Sequence, residues 1–219
     1  MYSFEELNIE GHVGKVPNEY LRLKTDTDRY AITFPGRGYT TQAPLLYYTN
    51  RFLLYMGINV LNINYDYMDN PNFENRSQEA KMEWLKDDVV AAYTTAQQQL
   101  DEQLCCIVGK SLGTIALANI LEEFPDARDS KFIWHTPLIL LPDIQKALND
   151  YTPDSLFVIG TEDPYYDKEL LSELVESTGG DSLVIEGANH GMEVSTNPLE
   201  LLEIMDRIIQ SLTKFFHSQ

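Results

Sequence analysis

The chain has 219 residues, 43% of them hydrophobic, and a formal net charge of −18. That length suits a single α/β domain, residues 1–219, with a sizeable core. The charge repels nucleic acid and anionic membranes, and no apolar run is long enough to span a bilayer. The start, Met1-Tyr2-Ser3-Phe4-Glu5-Glu6, is acidic and lacks a basic-then-apolar signal pattern, so a cytoplasmic protein is expected. Asn75-Arg76-Ser77 matches a glycosylation acceptor, which without secretion carries no meaning.

Residues 1–28 read as antiparallel edge strands. Tyr20 to Thr25 alternates like a strand with one buried face, and a further short strand is expected within Ser3 to Glu10. Tyr30 to Phe34 is a strand that runs into Pro35-Gly36-Arg37-Gly38-Tyr39-Thr40. A glycine-rich loop at a strand tip lets backbone N–H groups approach a ligand; the competing reading is a plain turn. Pro44 to Met56 is predicted helical, with Leu45, Tyr48, Phe52 and Tyr55 on one side and Gly57 as its stop. Ile58 to Asn64 is the next strand, and Asp66 to Asn75 a polar loop. Ser77 to Leu100 is a long helix, with Leu85, Val89, Ala92, Ala96 and Leu100 at helical spacing.

Cys105-Cys106-Ile107-Val108-Gly109-Lys110-Ser111-Leu112-Gly113 is the stretch around which the rest is organised. Four apolar residues run into Gly-Lys-Ser-Leu-Gly, and Ile115 to Leu121 continue as a helix that ends before Pro125. A serine at such an apex sits in strained backbone that projects its hydroxyl out of the sheet. Glycines two before and two after let strand and helix pass closely. The pentapeptide alone arises by chance in roughly one chain in fifteen of this length; the strand before it and the helix after it make it specific. Gly109-Lys110-Ser111 also ends like a phosphate-binding loop, but that motif needs a glycine where Leu104 stands. Adjacent cysteines on a strand point to opposite faces, so Cys105 and Cys106 read as reduced, small apolar residues. No Cys/His spacing suggests a metal site.

Lys131 to Trp134 is another strand, left by Trp134-His135-Thr136-Pro137. Leu138 to Thr152 holds one short helix at most. Ser155 to Gly160 is a buried strand ending in Thr161-Glu162-Asp163-Pro164. Lys168 to Ser177 is a helix, and Ser182 to Ile185 the last strand, ending in Glu186-Gly187-Ala188-Asn189-His190-Gly191. Asn197 caps the closing helix, with Pro198 in its first turn and Glu200 three residues on. Its buried face is Leu201, Met205, Ile208, Leu212 and Phe215. Strand and helix alternate from Tyr30 onward, which implies a mostly parallel sheet covered on both faces. Ligands then sit at the carboxyl ends of the strands.

A serine hydroxyl is a poor nucleophile at neutral pH; it needs a base and a group to orient that base. Ser111, Asp163 and His190 each follow a predicted strand, so all three belong on one rim, in the order Ser, Asp, His. The bland competitors are a helix N-cap for Ser111 and an ordinary turn aspartate for Asp163. Asp167 is a weaker acid candidate because it lies further from the strand tip. His12 lies in the amino-terminal part, His217 in the tail, and His135 reads as a packing residue.

These motifs, Gly109 to Gly113, Gly160 to Pro164 and Gly187 to Gly191, resemble those of the α/β-hydrolase family. Over residues 30–216 the chain is similar to its small, lidless carboxylesterase-like and dienelactone-hydrolase-like branches. The resemblance implies a single-domain α/β-hydrolase fold with a minimal lid. It implies a serine hydrolase acting on a small ester or thioester through an acyl-enzyme, with no cofactor and no metal. Ser111 would be the nucleophile, His190 the general base and Asp163 the orienting acid. The oxyanion hole would use the N–H of Leu112 and that of Arg37, with Gly38 as the alternative, because Pro35-Gly36 stands where the family often has His-Gly. Arg37 invites a carboxylate or phosphate ligand, against the simpler reading of a solvated arginine. Tyr39, Tyr165 and Tyr166 are expected near a substrate pocket, and Lys110, at the motif's variable position, is assigned no role. Acyl transfer or peptide cleavage on the same triad, or an inactive binding domain, are the alternatives; the oligomeric state is not set by these residues.

Overall fold

A computed structural model describes residues 1–65, 67–68 and 70–217. In chain order the elements are β1 (Tyr2–Glu5), β2 (Glu10–Gly11), β3 (Gly14–Lys15), β4 (Asn18–Leu23), β5 (Arg29–Phe34), α1 (Pro44–Tyr55), β6 (Asn59–Ile63), α2 (Pro71–Glu74) and α3 (Gln78–Gln99). Then follow β7 (Gln103–Lys110), α4 (Leu112–Glu123), a 3₁₀ turn, β8 (Lys131–His135), α5 (Pro142–Tyr151), β9 (Ser155–Gly160), α6 (Lys168–Thr178), β10 (Asp181–Ile185) and α7 (Pro198–His217). One sheet has eight strands in the order β1-β4-β6-β5-β7-β8-β9-β10. Its first two pairings are antiparallel and the remainder parallel. The layout is a mostly parallel sheet with helices on both faces.

Strand composition explains the layering. Successive residues of a parallel strand face opposite layers, and both layers here are apolar. Ile32, Phe34, Ile107, Trp134 and Ile159 pack with α3, α4 and α5 on one face. Ala31, Val60, Val108, Ile133 and Val158 pack with α1 and α7 on the other. The loop between β8 and β9 holds α5 and nothing larger, so no inserted domain stands over the rim.

At the amino terminus, β1 pairs antiparallel with β4 at the sheet edge, and between them in the chain a second small hairpin, β2–β3, lies against α3. Two sequence expectations need correction. Residues 66–75 are not all loop, because Asn70 caps the short α2 through a bond from the Asn72 N–H; Asp66, at the head of that stretch, lies outside the described residues. Tyr55 does not share the buried side of α1. It is 86% exposed, while Leu45, Leu46, Thr49, Asn50, Leu53 and Leu54 face inward. The closing helix starts as its sequence suggests: Asn197 Oδ1 accepts the Leu199 N–H at 3.1 Å, and Glu200 reaches back to the Asn197 side chain at 3.3 Å.

Candidate active site

Strand β7 ends at Lys110 and α4 begins at Leu112, so Ser111 alone makes the turn. Its φ of 53° and ψ of −114° lie where an L-residue is strained. Its side chain makes no capping bond to the helix, which removes the N-cap reading. The crossing is tight because the flanking glycines lack side chains. A β-carbon on Gly109 would sit 2.5 Å from the Gly113 carbonyl oxygen, and one on Gly113 would collide with the carbonyl oxygen of Phe34. Phe34 pairs with Gly109 in the sheet, so the loop after β5 lies directly beside the elbow.

Two neighbouring strand tips bring the other groups. His190 Nε2 lies 2.8 Å from Ser111 Oγ, and His190 Nδ1 lies 2.8 Å from Asp163 Oδ2. Asp163 is 3% exposed, and its Oδ1 accepts the Tyr165 N–H at 2.9 Å. The loops that carry these residues are laced together. Thr161 Oγ1 accepts the Gly187 N–H, and the Ala188 carbonyl accepts the Glu162 N–H. A side chain on Gly160 would strike Ala188, so this closeness depends on glycine. Asn189 Oδ1 ties the turn after the histidine by accepting from Gly191 and Glu193.

The other expected residues fall as follows. Leu112 is the first residue of α4, where N–H groups have no intrahelical partner. The loop at 36–39 closes as a turn, with the Gly36 carbonyl accepting the Tyr39 N–H at 3.1 Å. Among the described residues, the N–H groups of Arg37 and Gly38 donate to no protein group. The Arg37 guanidinium pairs with Glu74, and its side chain is 53% exposed, in keeping with a solvated arginine. Tyr165 lies with its ring 6.0 Å from that of His190. Tyr166 donates its N–H to the Asp163 carbonyl. Tyr39 is turned inward, where its hydroxyl accepts the Leu45 N–H at 3.0 Å.

Asp167 is separated from the site by its own job: it caps α6, accepting the Leu170 N–H. His135 is fully buried and meets Thr49 Oγ1 at 2.9 Å; burial, helped by the charge of Lys110, pushes its imidazole down to about 3. His12 pairs with Asp87 on α3, and His217 lies in the last turn of α7. Burial raises the Cys105 thiol to about 11 and holds the Cys106 thiol well above its ordinary value, so neither is a thiolate at neutral pH.

Two residues escape the sequence reading. Lys110 is 4% exposed; its Nζ donates to the His190 carbonyl at 3.2 Å and lies 4.6 Å from the centre of the Tyr39 ring. Burial lowers its amine to about 8, against a partial offset from the charge of Asp163. Tyr65 is buried, and its hydroxyl donates to the Pro35 carbonyl at 2.9 Å. A lysine between a buried strand and an elbow serine is the one signal that could have pointed to the first. The second has no local signal.

Fold and rim geometry together define an α/β hydrolase. The sequence model of the alpha/beta hydrolase domain family matches residues 31–217, and the chain belongs to that family. A protein of unknown function from Agrobacterium tumefaciens, described as a putative alpha/beta hydrolase, superposes with a TM-score of 0.73 at 17% identity, covering 100% of this chain and 98% of that one. Dienelactone hydrolase from Anabaena variabilis gives 0.71 at 16% identity, covering 97% of each. An esterase from Pyrococcus furiosus gives 0.69 at 15% identity, covering 97% of this chain and 93% of its own. At such identities the likeness is one of fold. No curated protein sequence matches the chain.

Proposed function

We propose that this chain is a serine hydrolase that cleaves a small ester or thioester through an acyl-enzyme, without a cofactor. The observation that carries the reading is the unbroken run of two 2.8 Å contacts from Asp163 through His190 to Ser111. His190 Nε2 takes the proton as Ser111 Oγ attacks the carbonyl carbon. The tetrahedral oxyanion forms against the N–H of Leu112 and that of Arg37, with Gly38 as the alternative donor. The proton then passes from Nε2 to the leaving oxygen or sulfur as that bond breaks. Water repeats the sequence on the acyl-enzyme and releases the acid. Asp163 accepts a hydrogen bond from Nδ1–H, which leaves Nε2 free as base and stabilises the imidazolium. Each oxyanion donor is worth about 3 kcal/mol at the transition state. Tyr165, beside His190, would border the bound substrate, whereas Tyr39 and Tyr166 would act through the loops they hold.

Residues 1–219 are read as one domain, since β1 and β4 extend the same sheet. The substrate is read as a small molecule. Among the described residues no helix is long and apolar enough to cross a membrane. A fluorophosphonate probe tests the assignment. Wild type is expected to label covalently and Ser111→Ala not at all. Equal labelling of both would remove Ser111 as nucleophile.

A further inference from the structure

One sizeable cavity among the described residues lies outside the triad loops. It is a groove of about 470 Å³ across the outer side of α4, walled by α3 and α5. Met82, Ile115, Leu141 and Ile144 give it an apolar lining, and Glu83, Glu122 and Asp143 stand along it. Lys86 is the basic residue at that wall, and it is held by Glu123 and Glu122.

The groove lines up with the elbow. Within α4, Gly113, Thr114, Ala116, Leu117, Ala118, Ile120 and Leu121 are buried. Apart from Glu123 at the helix end, what remains accessible is a single stripe: Ser111 and Leu112 at the head, then Ile115, Asn119 and Glu122. These positions recur every three to four residues, so they share one helix face. Ile115 begins the groove one turn from Ser111, about 6 Å along the axis, and Glu122 ends it about 16 Å away. Ser111 therefore lies one helical turn beyond Ile115, the lining residue of α4 nearest to it in the chain.

We propose that this groove binds the acyl chain of the ester, and that the acyl chain is linear, aliphatic and uncharged at its far end. The inference rests on the hydrolase reading above. His190 must protonate the leaving oxygen, which places the alcohol on the histidine side of the elbow. The Leu112 N–H would hold the carbonyl oxygen at the head of α4, so the acyl substituent extends away from His190, down that helix. A length of about 16 Å accommodates a chain of medium length. The carboxylates along the walls disfavour a chain that ends in an anion, because like charges repel in a site of limited solvation.

The test compares p-nitrophenyl acetate with p-nitrophenyl decanoate. Wild type is expected to favour decanoate at least tenfold in kcat/KM, since buried methylenes carry selectivity of that order. Asn119→Trp, which plugs the groove from an accessible position, and Met82→Glu, which charges its lining, should each cut decanoate turnover at least tenfold and leave acetate within about twofold. Equal activity on both esters in wild type, or equal loss on both in the variants, overturns the proposal. Calorimetric titration of 1-decanol into Ser111→Ala protein separates the groove from the chemistry. Binding that Asn119→Trp abolishes supports the groove even if no ester is cleaved. Absent binding, or binding that the tryptophan leaves unchanged, overturns it.

Discussion

Asp163 and Asp88 are built alike and placed differently. Both are buried, at 3% and 4% exposure. Each accepts one backbone N–H, from Tyr165 at 2.9 Å and from His12 at 2.8 Å respectively. Each gives its second oxygen to a ring: the His190 imidazole at 2.8 Å, or the Tyr67 hydroxyl at 2.7 Å. The difference lies in what the ring can do next. An imidazole can accept a proton at its far nitrogen and pass it on. Tyr67 cannot, because burial first, then the charges of Tyr65 and Asp88, raises its phenol far above neutrality. Its ring instead stacks on Tyr65 at 4.6 Å and on Phe73 at 4.3 Å. Asp88 thus seats the β2–β3 hairpin and an aromatic stack, whereas Asp163 holds the His190 imidazole on the open rim. Burial and a full set of hydrogen bonds are common to both carboxylates; what favours Asp163 for the proposed triad is the proton-accepting capacity of its partner.

Exchanging each aspartate for asparagine breaks this comparison if it is false. Asp163→Asn should lower kcat on an activated ester by about 10⁴, because the amide can hold His190 in the wrong tautomer. Its unfolding midpoint in urea should move little by comparison. Asp88→Asn should leave kcat within a few-fold and cost about 1–3 kcal/mol of stability, since one amide cannot accept at both ends and a buried donor loses its partner. A collapse of kcat in Asp88→Asn with the fold intact would erase the distinction drawn here.

Tyr65 is the point where the aromatic stack beside Asp88 touches the rim. Its hydroxyl pins the Pro35 carbonyl, at the start of the loop that carries Arg37 and Gly38. Tyr65→Phe removes that restraint from the loop proposed to supply the second oxyanion donor. The expected result is a drop in kcat of about tenfold, near 1.4 kcal/mol, with KM almost unchanged. A change confined to KM would mean that the loop contacts ground-state substrate rather than the developing charge.

Much of the rim was legible because its signals are local. Ser111 announces its turn through Gly109 and Gly113, and Asp163 and His190 each follow an uninterrupted apolar strand. Parallel pairing then places all such tips at one edge without any knowledge of contacts. Asp167, read as lying further from the strand tip, caps α6, and His135, read as a packing residue, is fully buried. Tyr55 misled, because a helical stripe on α1 could be drawn through it while the neighbouring Leu53 and Leu54 took the core. The Asp88 seat, the bond from Tyr65 to Pro35 and the groove on α4 join residues far apart in the chain. Nothing in their immediate neighbours encodes the partner. Lys110 lies between these cases: its motif position is visible, but only the folded chain reveals that its ammonium is enclosed.

That enclosure supplies the smallest expected effect and the one most specific to the Asp163 side. Besides the His190 carbonyl and the Tyr39 ring, the charge of Asp163 acts on the Lys110 amine. Its value falls from 10.5 in an ordinary lysine to about 8, chiefly through desolvation. Between those two values the unfolded chain holds a proton that the native chain has released. Stability therefore rises with pH across that window, by up to about 1.4 kcal/mol per pH unit. Between pH 8 and pH 9 the wild type should gain about 1 kcal/mol relative to Lys110→Met, measured by urea unfolding of both proteins at each pH so that other titrating groups cancel. Lys110→Arg, which cannot release its proton, should be less stable than wild type throughout. If the wild type and Lys110→Met run parallel through this range, the amine is solvated in the native state and cannot be bracing the histidine loop from within.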